Sequence, residues 1–461
     1  MLLASRSRKS RFRRRVVVAV ALAVLAATAS APAGAEPTAH RGSRAAEQTG
    51  PVVSGGSDDK GQAGTFTKKL GLTELRDVSA GYEHSLAVSK DGRLLAGGSD
   101  EYRQAARFAD DMSGVKVTAV SAGGGHSLAL SENGTMFAGG DDRYKQGKTF
   151  ENATSGIKVK AIAAGSAQSL ALSEDGKLYG GGLDHQGQAA TFANDMNKKG
   201  IKLKAISTGG SHSLALSEDG NLYGGGDNRY GQAATFAEEM ERKDIKLKAI
   251  SAGGSHSLAL SEDGKLYSGG WDEYGQAAAF AEEINEKGIK LKAISAGGFH
   301  SLALSEDGKL YGGGVDEYGQ AGTFAESYTA QRFLTISAGF LHSLALGDTC
   351  GAMRPDHICG SFEKTRNPED VYTLIFKTDN NEERFLISGI GRRAIQVLAT
   401  GRLMQVIVRE GSSGQEHNGS VFFTHDTDTG RFDIDRDKSQ LPEGLDFERS
   451  DPNRFKFTWT D

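Results

Sequence analysis

The sequence predicts an all-β protein: a seven-bladed β-propeller closed by its N-terminal segment, followed by a small β-rich domain. Three observations support this prediction. A unit of 42 to 44 residues recurs seven times, each unit has the pattern of three short strands, and the incomplete last unit is complemented by residues near the N-terminus. Repeats of this length with several strands each are typical of propellers.

One position marks every unit. It is occupied by His84, His126, Gln168, His212, His256, His300 and His342. Because unlike groups are needed for catalysis, an identical residue in successive units indicates a shared structural hydrogen bond, not a metal or catalytic site.

Residues 289–314 illustrate the unit. Residues 289–297 alternate apolar and polar side chains, as a strand does. Residues 300–305 place His and Leu on one face and Ser and Ala on the other, and Asp307-Gly308 is typical of a hairpin turn. The glycines of residues 309–314 are expected to let strands crowd the central axis.

A short segment follows each third strand. In residues 235–244, Thr235 and Glu238 have the spacing of a capping box. We therefore expect one or two helical turns on the outer rim.

The two ends of the repeat region complement each other. The seventh unit contains only the first two strands, over residues 336–346, while residues 52–66 match a third strand and its loop. Together they make one blade, so the N-terminal segment should close the ring and remove the exposed sheet edges.

The first 35 residues have the pattern of a secretory signal peptide. Seven basic residues precede an apolar run at 16–27 and the small residues Ala33-Gly34-Ala35. We expect a protein that is secreted or associated with the cell envelope, exported by either the general secretory or the twin-arginine route, with residues 36–50 as a linker. The apolar run is too short to span a bilayer, and no longer one follows, so no stable membrane insertion is expected.

Removing this segment changes the net charge from −5 to −12, because it carries seven basic residues and no acidic one. An acidic protein lacks the basic surface that nucleic-acid binding requires. No nucleic-acid partner is expected.

The propeller is expected to span residues 51–349, and residues 350–461 differ from it in composition. Six segments there have strand patterns, which predicts a compact β-sandwich or small barrel. They are residues 371–378, 383–390, 394–400, 402–410, 420–426 and 454–460. The only two cysteines, Cys350 and Cys359, are expected to form a disulfide in an oxidising compartment.

Residues 296–304 (AGGFHSLAL) and 314–320 (GVDEYGQ) carry the two motifs of the unit. They resemble the regulator-of-chromosome-condensation repeat family, over residues 50–347, and the resemblance implies a seven-bladed propeller. The chain departs from the family pattern where Gly225, Gly269 and Gly313 replace a tryptophan. Arg103 and Lys145 replace a loop glycine.

The resemblance implies two known activities. The founding eukaryotic member exchanges nucleotide on a nuclear GTPase through an inserted wedge, for which units of at most 44 residues leave no room; nucleotide exchange is therefore not expected. Secreted bacterial members that inhibit β-lactamases are similar in repeat type, blade number and export. They bind their target through aromatic residues on the loops of one face.

The loops of this chain contain aromatic residues that recur and others that break the repeat. The inner turn and the Asp-x-Tyr-Gly-Gln loop should lie on the same face, and residues outside the repeat are not required for symmetric packing. The binding residues predicted there are Tyr82, Glu83, Tyr102, Trp271, Tyr274, Phe299, Tyr318, Phe340 and Leu341.

The sequence therefore predicts a monomeric binding protein that uses this face to bind a protein partner. Inhibition of that partner is one form that this function could take. One alternative is an extracellular lyase or hydrolase acting on polysaccharide; another is a cell-surface adhesion or scaffold protein that uses the C-terminal domain. The sequence predicts no catalytic residue, no metal ligand and no cofactor.

Overall fold

The computed structural model describes residues 52–70, 73–329 and 331–347 with their side chains, and the backbone of nine strands between residues 357 and 459. The predicted signal peptide, the linker and the disulfide between Cys350 and Cys359 lie outside the described residues and side chains. Each part is described by itself.

Seven three-stranded antiparallel sheets form the blades. The first strands are β2 (Leu75–Ala80), β5 (Val117–Ala122), β8 (Val159–Ala164), β11 (Leu203–Thr208), β14 (Leu247–Ala252), β17 (Leu291–Ala296) and β20 (Phe333–Ala338). The second strands are β3 (His84–Ser89), β6 (His126–Ser131), β9 (Gln168–Ser173), β12 (His212–Ser217), β15 (His256–Ser261), β18 (His300–Ser305) and β21 (His342–Gly347). The third strands are β4 (Leu94–Gly98), β7 (Met136–Gly140), β10 (Leu178–Gly182), β13 (Leu222–Gly226), β16 (Leu266–Gly270), β19 (Leu310–Gly314) and β1 (Val52–Gly56). Blade 1 contains β2, β3 and β4; blade 7 contains β20, β21 and β1.

The N-terminal strand closes the ring. Strand β1 pairs antiparallel with β21, with Val52 opposite Leu346 and Gly56 opposite His342. Blade 7 therefore joins strands from the two ends of the propeller. The predicted all-β class, the seven blades and the closure are confirmed.

The first strands lie closest to the axis. Each of them contacts the first strands of both neighbouring blades, so that together they make a closed circle. The turns between first and second strands continue this circle through backbone hydrogen bonds: Tyr82 N donates to Gly123 O at 3.1 Å, and Phe340 N donates to Gly81 O at 3.1 Å. Corresponding bonds join every pair of adjacent blades.

A second circle of hydrogen bonds runs through the repeated histidines. His256 Nε2 lies 2.9 Å from Ser301 Oγ of the next blade, and Ser301 Oγ donates to Gln276 O at 2.7 Å. Because a serine hydroxyl has one proton, Nε2 must be the donor. Nδ1 is buried without a hydrogen-bond partner, so the neutral ring with Nδ1 unprotonated is favoured. Burial lowers the pKa of His256 to about 3. His84, His126, His212, His300 and His342 make the same bond.

Blade 3 varies this bond. Gln168 Nε2 donates to Gly209 O of blade 4 at 3.0 Å. A glutamine can thus link neighbouring blades, as the predicted structural role of this position requires.

The core is divided into seven clusters, one between each pair of adjacent blades. Between blades 7 and 1, for example, Val52, Leu344 and Leu346 of blade 7 pack with Phe66 and with Ala87 of blade 1. The residues of all seven clusters lie between positions 52 and 346, so the ring has a core of its own.

A helix follows each third strand. The helices are α1 (Gly64–Leu70), α2 (Ala106–Asp111), α3 (Lys148–Ala153), α4 (Ala190–Lys198), α5 (Ala234–Arg242), α6 (Ala278–Glu286) and α7 (Gly322–Ser327). The nine-residue helices are longer than the one or two turns predicted.

The predicted capping box was wrong. The N-cap of α5 is Ala233, so Thr235 lies inside the helix. Asn228 of the preceding loop accepts hydrogen bonds from the N–H groups of Ala233 and Thr235, at 3.0 and 3.3 Å. A loop residue thus satisfies the free amides that a capping box would otherwise satisfy.

The prediction for the third-strand glycines was also wrong. These strands lie outside the first and second strands, and their glycines make room for a phenylalanine of the preceding helix. A Cβ at Gly313 would lie 2.5 Å from Phe280 Cδ2, and one at Gly269 would lie 2.7 Å from Phe236 Cγ. The helix phenylalanine packs where the strand has no side chain.

The C-terminal strands form two sheets, in the orders β25-β22-β30-β29 and β24-β23-β26-β27-β28. The strands are β22 (His357–Lys364), β23 (Val371–Thr378), β24 (Glu382–Ser388), β25 (Gly391–Leu398), β26 (Leu403–Glu410), β27 (Glu416–Asp426), β28 (Arg431–Ile434), β29 (Leu445–Asp451) and β30 (Arg454–Trp459). Strand β22 pairs in parallel with β30; the other pairs are antiparallel. The sequence predicted six of these strands and missed β22, β28 and β29.

Deleting residues 36–56 should destabilise the ring. The deletion removes β1, exposes the edge of β21 and opens the core between blades 7 and 1. We expect loss of the single cooperative unfolding transition, or aggregation, in calorimetry and size-exclusion chromatography. Deleting residues 36–50 alone is the control and should change neither. A monomeric 36–56 deletion with unchanged thermal stability would contradict the closure.

The substitution His256→Gln should be mild, because Gln168 already links two blades. His256→Ala should lower the free energy of unfolding by about 2–3 kcal/mol, because it leaves a cavity and removes the donor to Ser301. Urea unfolding of both variants measures the difference. Equal stability of the alanine variant and the unmodified protein would show that the bond contributes nothing.

The propeller should lose stability steeply in acid. Burial lowers the pKa of His84 to about 3 and that of His126 to about 4, well below the ordinary 6.5. As pH falls below about 6.5, the unfolded chain takes up protons that the folded one does not. Each such histidine can therefore reduce the free energy of unfolding by up to about 1.4 kcal/mol per pH unit.

The buried Asp77 acts in the opposite direction, because burial raises its pKa to about 7 and its contribution to stability is lost as pH rises toward that value. Six histidines outweigh one carboxyl group, so acid should destabilise the propeller. Urea unfolding between about pH 7 and pH 4.5 measures the slope. His256→Gln should reduce that slope by about one proton, and a slope independent of pH would contradict the neutral histidines.

Candidate functional site

The two kinds of loop meet on one face of the propeller, here called the loop face. It carries the inner turns, between first and second strands, and the outer loops, which follow the third strands. Trp271 N, at the start of an outer loop, donates to Ser255 O of the inner turn at 2.9 Å, and Val315 N donates to Phe299 O at 2.9 Å. The hairpin turns between second and third strands lie on the opposite face.

An aspartate or asparagine and a glutamine, separated by three residues in the sequence, fix each outer loop. In blade 5, Asp272 accepts hydrogen bonds from Ala277 N at 2.6 Å and Ala279 N at 3.0 Å, which caps α6. Gln276 Oε1 accepts from Tyr274 N at 3.0 Å. The loop backbone is therefore held at both ends, and the side chain of Tyr274 projects from a fixed position.

Two outer loops contain a residue in a conformation that favours glycine. Arg103 and Lys145 both have φ of 68°. At the corresponding position of blade 5, Gly275 has φ of 70°. Arg103 and Lys145 therefore keep the loop in the shape that glycine gives it, although this backbone conformation is strained for a residue with a side chain.

Six aromatic side chains form a continuous series across blades 4, 5, 6, 7 and 1. This aromatic row consists of Tyr230, Tyr274, Trp271, Phe299, Phe340 and Tyr82.

Trp271 is the centre of the aromatic row. Its ring centroid lies 5.2 Å from that of Tyr274, 5.7 Å from that of Phe299 and 6.4 Å from that of Tyr230. The first two contacts are edge-on, an arrangement that aromatic quadrupoles favour. These neighbours hold the ring of Trp271 in place. Because Trp271 is only half-buried, part of its side chain remains accessible to solvent.

The other end of the aromatic row lies over the inner turns. Phe340 packs edge-on against Phe299 at 5.3 Å and stacks on Tyr82 at 4.1 Å. A Cβ at Gly298 would lie 2.6 Å from Phe340 Cδ2, so the glycine makes this packing possible. Phe340 is only 9% exposed. Most of its surface is therefore covered, and its ring supports Tyr82 and Phe299.

The structure brings together five of the nine predicted binding residues in this row. Glu83 and Leu341 lie beside it in the inner turns, where their carbonyls accept hydrogen bonds from Ser99 N and Ser57 N, both at 2.8 Å. Tyr102 lies apart, with the guanidinium carbon of Arg143 5.2 Å from its ring centroid. Tyr318 is 52% exposed and has no ring contact with a described aromatic residue.

Tyr230 also belongs to the aromatic row, although the sequence prediction of binding residues did not include it. Its signal in the sequence was its place in the recurring loop tyrosine series, one blade before Trp271. It is 53% exposed and extends the aromatic row into blade 4.

Two arginines of the loop face are paired with buried carboxylates. Arg229 Nη2 lies 2.8 Å from Asp227 Oδ2, and Arg143 Nη2 lies 2.8 Å from Asp141 Oδ2. Hydrogen bonds from the Arg229 side chain hold the pKa of Asp227 below its usual range, against the effect of burial.

At the aromatic row, burial and the neighbouring Glu83 raise the pKa of Tyr82.

This arrangement is suited to binding apolar groups. It offers fixed aromatic rings with accessible edges and faces, beside charged side chains on the same loops. Within the described part of the chain, no group of three or more His, Cys, Asp or Glu residues is placed to hold a metal ion.

Two family models match separate parts of the chain. The regulator of chromosome condensation (RCC1) repeat model matches residues 75–104, 117–146, 203–232, 247–276 and 291–320. A model described as membrane binding matches residues 360–460. In the described residues, no helix combines the length and apolar character needed to cross a membrane. None of the curated proteins compared with the chain matches it.

Solved structures with low sequence identity share the propeller fold. Prp20p from Saccharomyces cerevisiae, whose structure was reported with its binding to Gsp1p and histones, is 19% identical with a TM-score of 0.52. That match covers 66% of this chain and 92% of Prp20p. Human WBSCR16 is 20% identical with a TM-score of 0.53, covering 64% of this chain and 99% of that one.

The five repeat matches coincide with blades 1, 2, 4, 5 and 6, and blades 3 and 7 have the same three strands. The propeller of this chain is therefore built from regulator of chromosome condensation (RCC1) repeats and has the fold of RCC1-like propellers.

Proposed function

We propose that this chain is an exported, non-enzymatic binding protein that works at a membrane surface. The loop face of its propeller binds a protein partner, and residues 350–461 bind the lipid surface. The observation that carries the proposal is the aromatic row, which spans five consecutive blades and in which four of the six residues depart from the repeat. Aromatic residues held on a rigid frame are typical interface anchors.

Relatives of the propeller support the protein-binding part. The repeat family is mainly one of binding and regulatory proteins, and Prp20p was reported with its binding to Gsp1p and histones. Those proteins are partners of Prp20p. For this chain we infer only the class of partner, a protein.

The membrane part combines two of the functions considered from the sequence, partner binding and a surface role for the C-terminal domain. Its support is the membrane-binding family match over residues 360–460. Binding at the surface is consistent with the expectation that no segment inserts stably.

The two ends of the described propeller lie away from the aromatic row. Strand β1 begins at Val52 and β21 ends at Gly347, and both ends lie at the hairpin-turn face of blade 7. The described propeller therefore begins and ends on the face opposite the one that we propose for partner binding.

The enzymatic alternative has less support. The repeated histidines are buried and bonded to serines, and the asparagine and aspartates at the second position of the outer loops cap helices. Arg143 and Arg229 of the loop face are each paired with a carboxylate of their own loop.

Trp271→Ala should weaken binding of the protein partner about thirtyfold or more, because anchor truncations typically cost 2 kcal/mol or more. Partners are captured from cell envelope and culture supernatant on the full chain, and affinity is then measured by calorimetry. Phe340→Ala should act in the same direction by releasing Tyr82 and Phe299.

The matched control is Glu218→Lys, a charge reversal at an exposed residue of the hairpin-turn face. It should leave affinity nearly unchanged. Loss of binding in Glu218→Lys with retention in Trp271→Ala would move the site to the other face.

The full chain should sediment with phospholipid vesicles, and a chain ending at Gly347 should not. The truncated chain retains all seven core clusters, so it should keep its thermal transition and its partner binding. Trp271→Ala in the full chain should sediment as the unmodified protein does. Vesicle binding by the truncated chain would contradict the assignment of the membrane role to residues 350–461.

A further inference from the structure

We propose that the loop face recognises a protein segment in which an apolar side chain is flanked by lysine or arginine. The apolar side chain would pack on Trp271 and Phe299, and the cation would pair with Glu273 or Glu317. This inference rests on the proposed function, since it names the chemistry of the partner that the aromatic row binds.

The charge of the outer loops changes sign around the ring. The third residue of each loop is acidic in four consecutive blades and basic, or histidine, in the other three. In the order of blades 5, 6, 7, 1, 2, 3 and 4, these residues are Glu273, Glu317, Asp59, Glu101, Arg143, His185 and Arg229. All seven are exposed.

The acidic half coincides with the aromatic row. Trp271, Tyr274, Phe299, Phe340 and Tyr82 belong to blades 5, 6, 7 and 1. The loops of blades 5 and 6, residues 271–276 and 315–320, contain no basic residue at all. Apolar rings and uncompensated negative charge therefore lie on the same sector of the loop face.

The two halves differ in how their charges are paired. Arg143 and Arg229 each bind a carboxylate of their own loop. Glu273 and Glu317 make no ion pair with any described residue. The negative charge is therefore available to a partner, whereas the positive charge is already neutralised within the loops.

Two cations do lie in the outer loops of the acidic half, Lys60 in blade 7 and Arg103 in blade 1. Arg103 is 3.9 Å from Asp111, and Lys60 occupies the position that tyrosine has in blade 5. Glu83 adds a further carboxylate beside Tyr82. The strongest complementarity to a basic segment is therefore over blades 5 and 6, around Trp271.

This combination favours a basic protein segment over an anionic lipid surface. Exposed glutamates repel anionic headgroups, while they attract lysine and arginine. Arginine in particular can pair with a carboxylate and stack on an aromatic ring at the same time.

The test uses random peptides displayed on phage as the probe. They are selected on the full chain and counter-selected on the full chain with Trp271→Ala. We expect the recovered peptides to combine an aromatic or aliphatic residue with a nearby lysine or arginine. Recovered peptides without enrichment in basic residues would overturn the inference.

A recovered peptide is then measured against the double variant Glu273→Gln/Glu317→Gln. We expect affinity about tenfold weaker at low salt, from the loss of two charge pairs, and a smaller difference at about 1 M salt, where charges are screened within roughly 3 Å. The matched control is Glu262→Gln/Glu306→Gln, which makes the same change in the same two blades on the hairpin-turn face. Equal affinity of the two double variants would overturn the inference.

The outcomes separate this inference from the proposed function. If Trp271→Ala abolishes peptide binding and the loop glutamines do not weaken it, the protein-binding face stands and the basic chemistry fails. If no peptide distinguishes Trp271→Ala from the unmodified chain, the proposed function itself fails. If Trp271→Ala abolishes binding to phosphatidylcholine vesicles, the face docks on lipid and both are overturned.

Discussion

The structure depends on hydrogen bonds that pass from each blade to the next around the axis. Backbone bonds join the inner turns, and a histidine of one blade donates to a serine of the next, which donates in turn to a loop carbonyl. These groups are buried, so each must find its partner in the neighbouring blade. The circle can be satisfied only when the last blade meets the first, which is why β1 must pair with β21.

This constraint explains which parts of the repeat are free to vary. The histidine, the serine and the loop glutamine take part in the cross-blade bonds, and the second residue of each outer loop caps a helix. The positions between them on the loop face are not required for these bonds. Blades 2 to 5 have glycine, serine or alanine in the inner turns, whereas blades 6, 7 and 1 have Phe299, Phe340 and Tyr82. The circular frame thus holds the variable residues in fixed relative positions.

The chain combines a loop face whose aromatic rings are held by the circular frame with a membrane-binding family match over residues 360–460. The described propeller begins at Val52 and ends at Gly347, both on the hairpin-turn face of blade 7. The aromatic row therefore lies on the opposite face from both ends of the described propeller. The loops of blades 5 and 6 carry carboxylates without an ion pair among the described residues, whereas the arginines of blades 2 and 4 are paired within their own loops.

The sequence by itself determined the number of blades, their strands and the closure, because these follow from a repeat and from a pattern of alternation that are local. It also located Trp271, Phe299, Phe340 and Tyr82 as departures from the repeat. The tertiary structure decided three features that the repeat does not specify. Asn228 caps α5 in place of Thr235, Gly313 makes room for Phe280, and Phe340 lies beneath Tyr82. The last two depend on contacts between blades, which no periodicity within one unit specifies. The cap depends on the three-dimensional shape of the loop, which brings Asn228 to the start of α5.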